Sequence, residues 1–400
     1  MDKLLNRFLK YISFDTQSDD TVLKTPSTEK QKDLGRFLVD ELHSLGVDNA
    51  YIDEYSYVYG YIKGTVNTKT VGLIAHLDTA TEMPGKVTNP NIIDYYHGET
   101  IHLSNNVSLN PNVFQNLNNV LGHKIVTTDG TTLLGGDDKA GIAIIMSTVE
   151  KLLQGNYNYP NIFICFTPDE EIGGGTAKFN YDYFKVDFAY TLDGGAIDII
   201  NYETFNAASA IVTLHGENIH PGDAKDKMLN SALVAMEFQN MLPNIRPENT
   251  EGYEGFNHLC EINGNVNTTT LKYIIRNHDK ILFEKQINDF LSIEKNLNQK
   301  YNKEVCNVEI IRSYKNMKEK IEEVPYVLEY PVQALKSFGY NPSFIPIRGG
   351  TDGANLSYNG IPCPNLGTGT FNMHGPYEYS SITDMNTMVS VLIKMFEFIK

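Results

Sequence analysis

The stretch VGLIAHLDT, Val71 to Thr79, is an almost unbroken apolar run that ends on a histidine and an aspartate. Apolar residues at nearly every position, rather than at alternate ones, mark a strand covered on both faces. Two further runs read the same way: NIFICFT (Asn161 to Thr167) and FAYTL (Phe188 to Leu192). Helical periods surround them. Leu4, Leu5, Phe8, Leu9 and Ile12 share one helical face near the start of the chain. A second helix is predicted from Thr28, where Gln31 completes a capping box. Its core face is Leu34, Phe37, Leu38, Leu42 and Leu45, and Gly46 ends it. A third runs from Asp138 to Leu153. Residues 82–125 are polar, rich in Asn and His and poorly periodic, which predicts an irregular excursion with short strands. Strands alternating with helices predict an α/β domain, with a mixed, mainly parallel sheet covered by helices.

The pattern changes after residue 206. A strand at Ala208 to Leu214 is followed by a helix at Asp223 to Leu242, with Leu229, Ala232, Leu233 and Met236 on its apolar face. Two strands, Phe256 to Asn263 and Thr268 to Asn277, meet near Gly264-Asn265. A helix carrying Phe283, Ile287, Phe290 and Leu291 and a strand at Val305 to Arg312 complete the series. The order β-α-β-β-α-β is the ferredoxin-like split βαβ pattern. The chain then returns to helix–strand–helix text. An α/β domain built from residues 1–206 and 318–400, with an α+β domain of residues 207–317 inserted, is the expected organisation.

Composition narrows the function. The 400 residues carry a formal net charge of -16, which argues against nucleic acid or an anionic membrane as partner, since both need a positive field. No apolar run approaches the roughly 18 residues of a membrane span. The opening MDKLLNRFLKYI is an amphipathic helix in which charges interrupt every apolar stretch, unlike a signal peptide. Cys165, Cys260, Cys306 and Cys363 show no C-x-x-C spacing, and Cys165 and Cys260 sit in apolar runs. Buried free thiols in a reducing compartment, the cytoplasm, are the expectation.

Five places carry residues suited to chemistry. His76 and Asp78, two apart at a strand end, point to one side, so the imidazole is available to a metal and the carboxylate to its other nitrogen; a hydrogen-bonded core pair has the same pattern. In GGDDKAG (Gly135 to Gly141), Asp137 and Asp138 suit either a helix N-terminus or a carboxylate bridge between two metals. In TPDEEIGG (Thr167 to Gly174), adjacent Glu170 and Glu171 follow a buried strand. They read as a solvated loop or as a ligand beside a general base, and adjacency does not say which is which. Asp193 ends FAYTL before Gly194-Gly195, and His374 lies in a late glycine-rich loop. Together these make a nitrogen-and-oxygen donor set for divalent ions such as zinc, and three of the places lie just past buried strands of one sheet, where open α/β sheets place their sites.

The segments HLDT (His76 to Thr79), GTTLLGGDDKAG (Gly130 to Gly141), TPDEEIGGG (Thr167 to Gly175), LDGG (Leu192 to Gly195), HPGDAKDKM (His220 to Met228) and RGGTDGA (Arg348 to Ala354) resemble the tripeptide aminopeptidases of the M20 family of co-catalytic zinc peptidases. They run in the family's order over nearly the whole chain. The resemblance implies two Zn(2+) per subunit: one on His76 and Asp193, the other on Glu171 and His374, with Asp137 bridging. It implies that Asp78 supports His76, that Glu170 is the general base, and that Arg276 and Arg348 hold the peptide's carboxylate. The inserted domain resembles the family's lid and dimerisation domain, in which His220 reaches a neighbouring subunit's site and helps stabilise the oxyanion, so a homodimer acting on short peptides is implied. Gly136 stands where the family commonly has Ala, and the loop Gly367 to His374 is less like the family than the other segments. Other activities of the family (dipeptidase, carboxypeptidase, N-acyl amino acid deacylase) share the metal motifs, whereas a non-catalytic binding protein would have lost a ligand or the base.

Overall fold

The computed structural model describes residues 2–104 and 106–400. It shows a mixed α/β fold in two compact units: Met1–Tyr202 with Glu319–Ile345 and Thr351–Lys400, and Glu203–Lys318 with Pro346–Gly350. In the first unit Val71–His76 is an inner strand of an eight-stranded sheet, and all six of its residues are buried. It pairs in parallel with Ile162–Thr167 on one side and Phe188–Gly194 on the other. Asn365–Gly367 extends the parallel set beyond Phe188–Gly194. Antiparallel Val58–Ile62 and Tyr51–Ile52 close one edge. Ile199–Asn201, antiparallel to Asn365–Gly367, leads to Ser343–Phe344 at the other. The three continuous apolar runs are thus three adjacent parallel strands inside the sheet.

The helix Gly136–Gln154 lies against Val71–His76 and Phe188–Gly194 and is flanked by the helices Lys3–Ile12 and Ile382–Phe396. Every residue from Asp138 to Glu150 is consequently buried. Gly141 allows its first turn to reach the sheet, because a Cβ there would fall 2.0 Å from the Leu192 carbonyl oxygen. The excursion after residue 82 contributes short strands. Asn91–Ile93 and Ile125–Thr127 join Thr370–Phe371 and Tyr379–Ser381 in a small antiparallel sheet.

Several local expectations need correction. The second helix begins at Gln31, not Thr28. The capping box does not form because Thr28 gives its hydroxyl proton to the Gln17 carbonyl (2.7 Å), while the Gln31 amide donates to the buried Asp169 carboxylate (2.7 Å). Cys260 is exposed; the other three cysteines are buried, and all four are free.

In the second unit the sheet order is Phe256–Gly264, Thr268–Asn277, Asn206–His215, Cys306–Arg312, antiparallel throughout. This is the order that a β-α-β-β-α-β chain gives in a ferredoxin-like sheet. Its two long helices, Ser231–Met241 and Lys280–Tyr301, share one core, with Val212, Leu214, Phe238, Tyr273 and Phe290 at its centre. The first of them starts at Ser231, capped by the Asn230 side chain, rather than at Asp223. Its buried face is also not the expected one. Val234, Ala235 and Phe238 are inside, while Leu233 and Met236 are 62% and 57% exposed. Apolar residues occur on both faces, and burial of this one goes with two bonds of Ser231: its N–H donates to the Val266 carbonyl and its hydroxyl to the Asn265 carbonyl.

Gly141→Ala tests the close approach of helix to sheet. A Cβ placed against backbone forces a shift, so the variant should lose about 1–3 kcal/mol in chemical denaturation. Unchanged stability would mean that the helix start has room to spare.

Candidate metal centre

The parallel strands end level with one another. Ile74 pairs with both Cys165 and Thr191, and His76 pairs with Thr167. His76 and Asp193 therefore each stand two residues beyond a matched pair. Glu170 and Glu171 follow Thr167 on the short turn Glu170–Ile172. Asp137 lies in the first turn of the buried helix on the same side, and the chain after Asn365–Gly367 brings in His374. These are the carboxyl ends of the parallel strands, where such sheets bind ligands.

Asp137 sits between the two histidines. Its Oδ1 is 2.9 Å from His76 Nε2, and its Oδ2 is 3.4 Å from His374 Nε2. His76 Nε2 is also 3.8 Å from Asp193 Oδ1, and His374 Nε2 is 2.9 Å from Glu171 Oε2. Donor atoms of His76, Asp137 and Glu171, of His76, Glu170 and Asp193, and of Asp137, Asp138 and Asp193 lie within 4.8 Å of one another in each set. Asp78 holds two parts of the site at once. His76 Nδ1 faces its carbonyl oxygen at 3.0 Å and its carboxylate at 3.4 Å. That carboxylate in turn accepts the N–H groups of Glu170 (2.9 Å) and Glu171 (3.2 Å).

The electrostatics are those of acids crowded away from water. Burial, followed by the nearby Asp193 charge, raises the Glu170 carboxyl well above the usual range. Burial and the Asp138 and Asp137 charges do the same to Asp193, and Glu171 is pushed up to about 7 by burial and Asp137. Asp137 behaves oppositely. Burial would raise it, but hydrogen bonds to His374 and His76 outweigh that and hold it well below the usual range. His374 is raised to about 11 by the carboxylates of Asp137 and Glu171. Glu171 Oε1 is buried with no hydrogen-bond partner.

Supporting groups surround the donors, and of these Glu378 and Lys139 were not singled out from the sequence. Asp138 accepts the N–H groups of His76 and Gly141 (both 3.2 Å). Buried Glu378 accepts the N–H groups of Leu134, Gly135 and Asp137 at 2.8, 2.9 and 3.0 Å, pinning the loop that carries Asp137. The Lys139 ammonium, fully buried and lowered by burial to about 8, donates to the Phe14 carbonyl. Gly136 has its reason here: a Cβ would meet Ser380 Oγ at 2.4 Å and Thr370 Cγ2 at 2.8 Å. A carboxylate four residues after His374 was the available signal for Glu378; Asp138 was visible as half of the Asp-Asp pair.

His220, Arg276 and Arg348 belong to the second unit. His220 is exposed, and its Nδ1 accepts the Gly222 N–H, which makes Nε2 the protonated nitrogen of the neutral ring. Arg276 donates through Nη1 to the carbonyls of Ala208 and Ile275 and lies over the Tyr314 ring. Arg348 donates to the carbonyls of Gly252 and Glu254 through Nη1 and to Thr250 through Nη2. Its segment joins this unit through backbone bonds of Ile347 to Glu203 and of Phe205 to Gly349.

Peptidase family M20/M25/M40 matches residues 123–397. A protein named peptidase T from Clostridium perfringens is 48% identical over 99% of both chains. Another of that name, from Caldanaerobacter subterraneus, is 46% identical over 99% of this chain and 98% of its own. Among solved structures, aminopeptidase PepT from Bacillus cereus superposes with a TM-score of 0.79 at 20% identity, covering 99% of this chain and 98% of that one. A Bacillus subtilis M20 protein described as a dinuclear metal binding peptidase gives 0.67 at 12% identity, covering 99% and 98%. The chain belongs to the M20 peptidases and, within them, to the peptidase T group.

The buried Asp352 carboxylate, which accepts the Thr167 hydroxyl (2.8 Å), gives a pH test of this crowding. Burial raises it to about 7. Between its ordinary value and 7 the folded state therefore keeps a proton that the unfolded chain has lost, and stability falls as pH rises through that window. Asp352→Asn cannot titrate. In chelator-treated protein, its melting temperature should fall less steeply with pH over this range than the wild type's.

Proposed function

We propose that this chain releases the N-terminal residue from tripeptides, with two zinc ions held by His76, Asp193, Asp137, Glu171 and His374 and with Glu170 as general base. The observation that carries the reading is the division of Asp137, one oxygen toward each histidine, inside a buried cluster of acids. The residues fit two cations. The orphaned Glu171 Oε1 and the mutual repulsion of Glu170, Glu171 and Asp193 both ask for positive charge. Imidazole and carboxylate are donors that zinc accepts. His76 and Asp193 would hold one ion and Glu171 and His374 the other, with Asp137 common to both. The 48% identity to a protein named peptidase T supports the substrate class.

A cation pair here supplies Lewis acidity, which acidifies water and polarises a peptide carbonyl. The rest is the work of the chain. Glu170, whose burial makes it a better base than an ordinary carboxylate, takes the proton of the attacking water and passes it to the leaving amine. Asp78 keeps His76 in one tautomer and fixes the turn that carries Glu170. His220, protonated at Nε2, would donate to the developing oxyanion of a partner subunit's substrate, which makes the working form a homodimer. Arg276 and Arg348 would take the peptide carboxylate through a guanidinium fork. Arg276 is the readier of the two, since it bonds carbonyls through Nη1 alone. The four free thiols suit the cytoplasm. Among the described residues, no helix is long and apolar enough to cross a membrane.

The test is hydrolysis of trialanine by zinc-loaded protein, beside dialanine, tetra-alanine and an N-acetylated tripeptide. Alanine should be released from trialanine alone, and a chelator should stop it. Cleavage of the acetylated or dipeptide substrate instead would move the chain to a sister activity. Glu170→Ala should lower kcat by about 10²–10⁴-fold with zinc still bound; full activity in that variant would remove Glu170 from its role.

A further inference from the structure

The loop after Val71–His76 carries a second acid aimed at the centre. His374 Nδ1 is 3.3 Å from Glu82 Oε1, while its Nε2 faces Glu171 and Asp137. His76 has a parallel arrangement, with Nδ1 on the Asp78 carbonyl oxygen at 3.0 Å and its carboxylate at 3.4 Å, and Nε2 on Asp137. We propose that Glu82 is the positioning residue of His374, as Asp78 is of His76, so that one short loop orients both histidines. The inference rests on the metal-centre reading above.

The two histidines need their partners to different degrees. His76 has a side chain only 2% exposed, and packing alone restricts its ring. His374 is 44% exposed, on a loop where Asn372 and His374 both adopt left-handed backbone. The Asn116 amide donates to Asn372 (2.7 Å) and steadies that loop, but it does not touch the ring. An imidazole open on one side keeps a ligating direction only if its second nitrogen is held, and a carboxylate there also strengthens it as a ligand.

Glu82 is suited to the task because its backbone is fixed on either side. The Gln17 side-chain amide donates to the carbonyls of Ala80 (3.1 Å) and Met83 (2.7 Å). Ser18 N–H donates to the Thr79 carbonyl, Thr79 N–H to that of Thr16, and Leu133 N–H to that of Pro84. The Glu82 carboxylate itself is half exposed, so it can adjust to the histidine without the cost of full burial.

The experiment is metal competition against a chromophoric chelator on the full chain, using wild type, Glu82→Gln and Glu82→Asp, with the melting temperature of each metal-free protein. Wild type should bind two zinc ions. Glu82→Gln should bind one with unchanged affinity and the other about 10-fold more weakly, the usual size of such an effect. Glu82→Asp should recover part of the loss, and the metal-free melting temperatures should agree. Two wild-type affinities in Glu82→Gln, even with a raised KM for tripeptides, would overturn the assignment. So would equal weakening of both ions with a fall in metal-free stability. A wild type that takes up fewer than two ions would overturn the metal-centre reading and this inference with it.

Discussion

The cost of burying negative charge governs this molecule. Asp137, Asp138, Glu170, Glu171 and Asp193 converge where parallel strands end, with His76 and His374 among them as neighbours able to carry positive charge. Carboxylates taken out of water and left unpaired are among the most expensive arrangements a fold can hold. Here the fold commits rigid parts to that arrangement: a central strand buried along its whole length, a helix buried from its first turn, and a loop pinned by the three backbone hydrogen bonds of Glu378. Such construction makes sense when the charge is met by cations and the donors must not move.

The support is layered. Asp78 joins one histidine to the turn of the two glutamates, Glu378 sets the loop of Asp137, and Asp138 accepts both the Gly141 N–H in the buried helix and the His76 N–H. Each of these acids accepts backbone N–H groups and so is held by the main chain rather than by long flexible side chains. Precise placement of ligands is what separates a working centre from a merely acidic pocket.

Much of this was legible in the sequence, and the exceptions have physical causes. Continuous apolar runs located Val71–His76, Ile162–Thr167 and Phe188–Gly194, and acids and histidines just beyond strand ends located the centre, because doubly covered strands leave few positions for polar residues except their termini. The β-α-β-β-α-β order gave the second unit's sheet. Periodicity failed at Ser231–Met241, where both faces are apolar and the N–H and hydroxyl bonds of Ser231 accompany burial of Val234, Ala235 and Phe238 rather than Leu233 and Met236. The Thr28 capping box failed because Gln31 is drawn to Asp169, far away in sequence. Glu82 was invisible for the same reason: its partner is His374, and nothing local marks it. The division of labour between Glu170 and Glu171 came from family resemblance; the fold adds that Glu171, not Glu170, faces His374.

An acid cluster built around two cations that share Asp137 is open to direct test. Anomalous diffraction at the zinc edge from crystals of zinc-loaded protein addresses it directly. Two peaks per chain are expected, one against His76 and Asp193, the other against Glu171 and His374, with Asp137 between them. A single peak, or peaks away from Asp137, would contradict it.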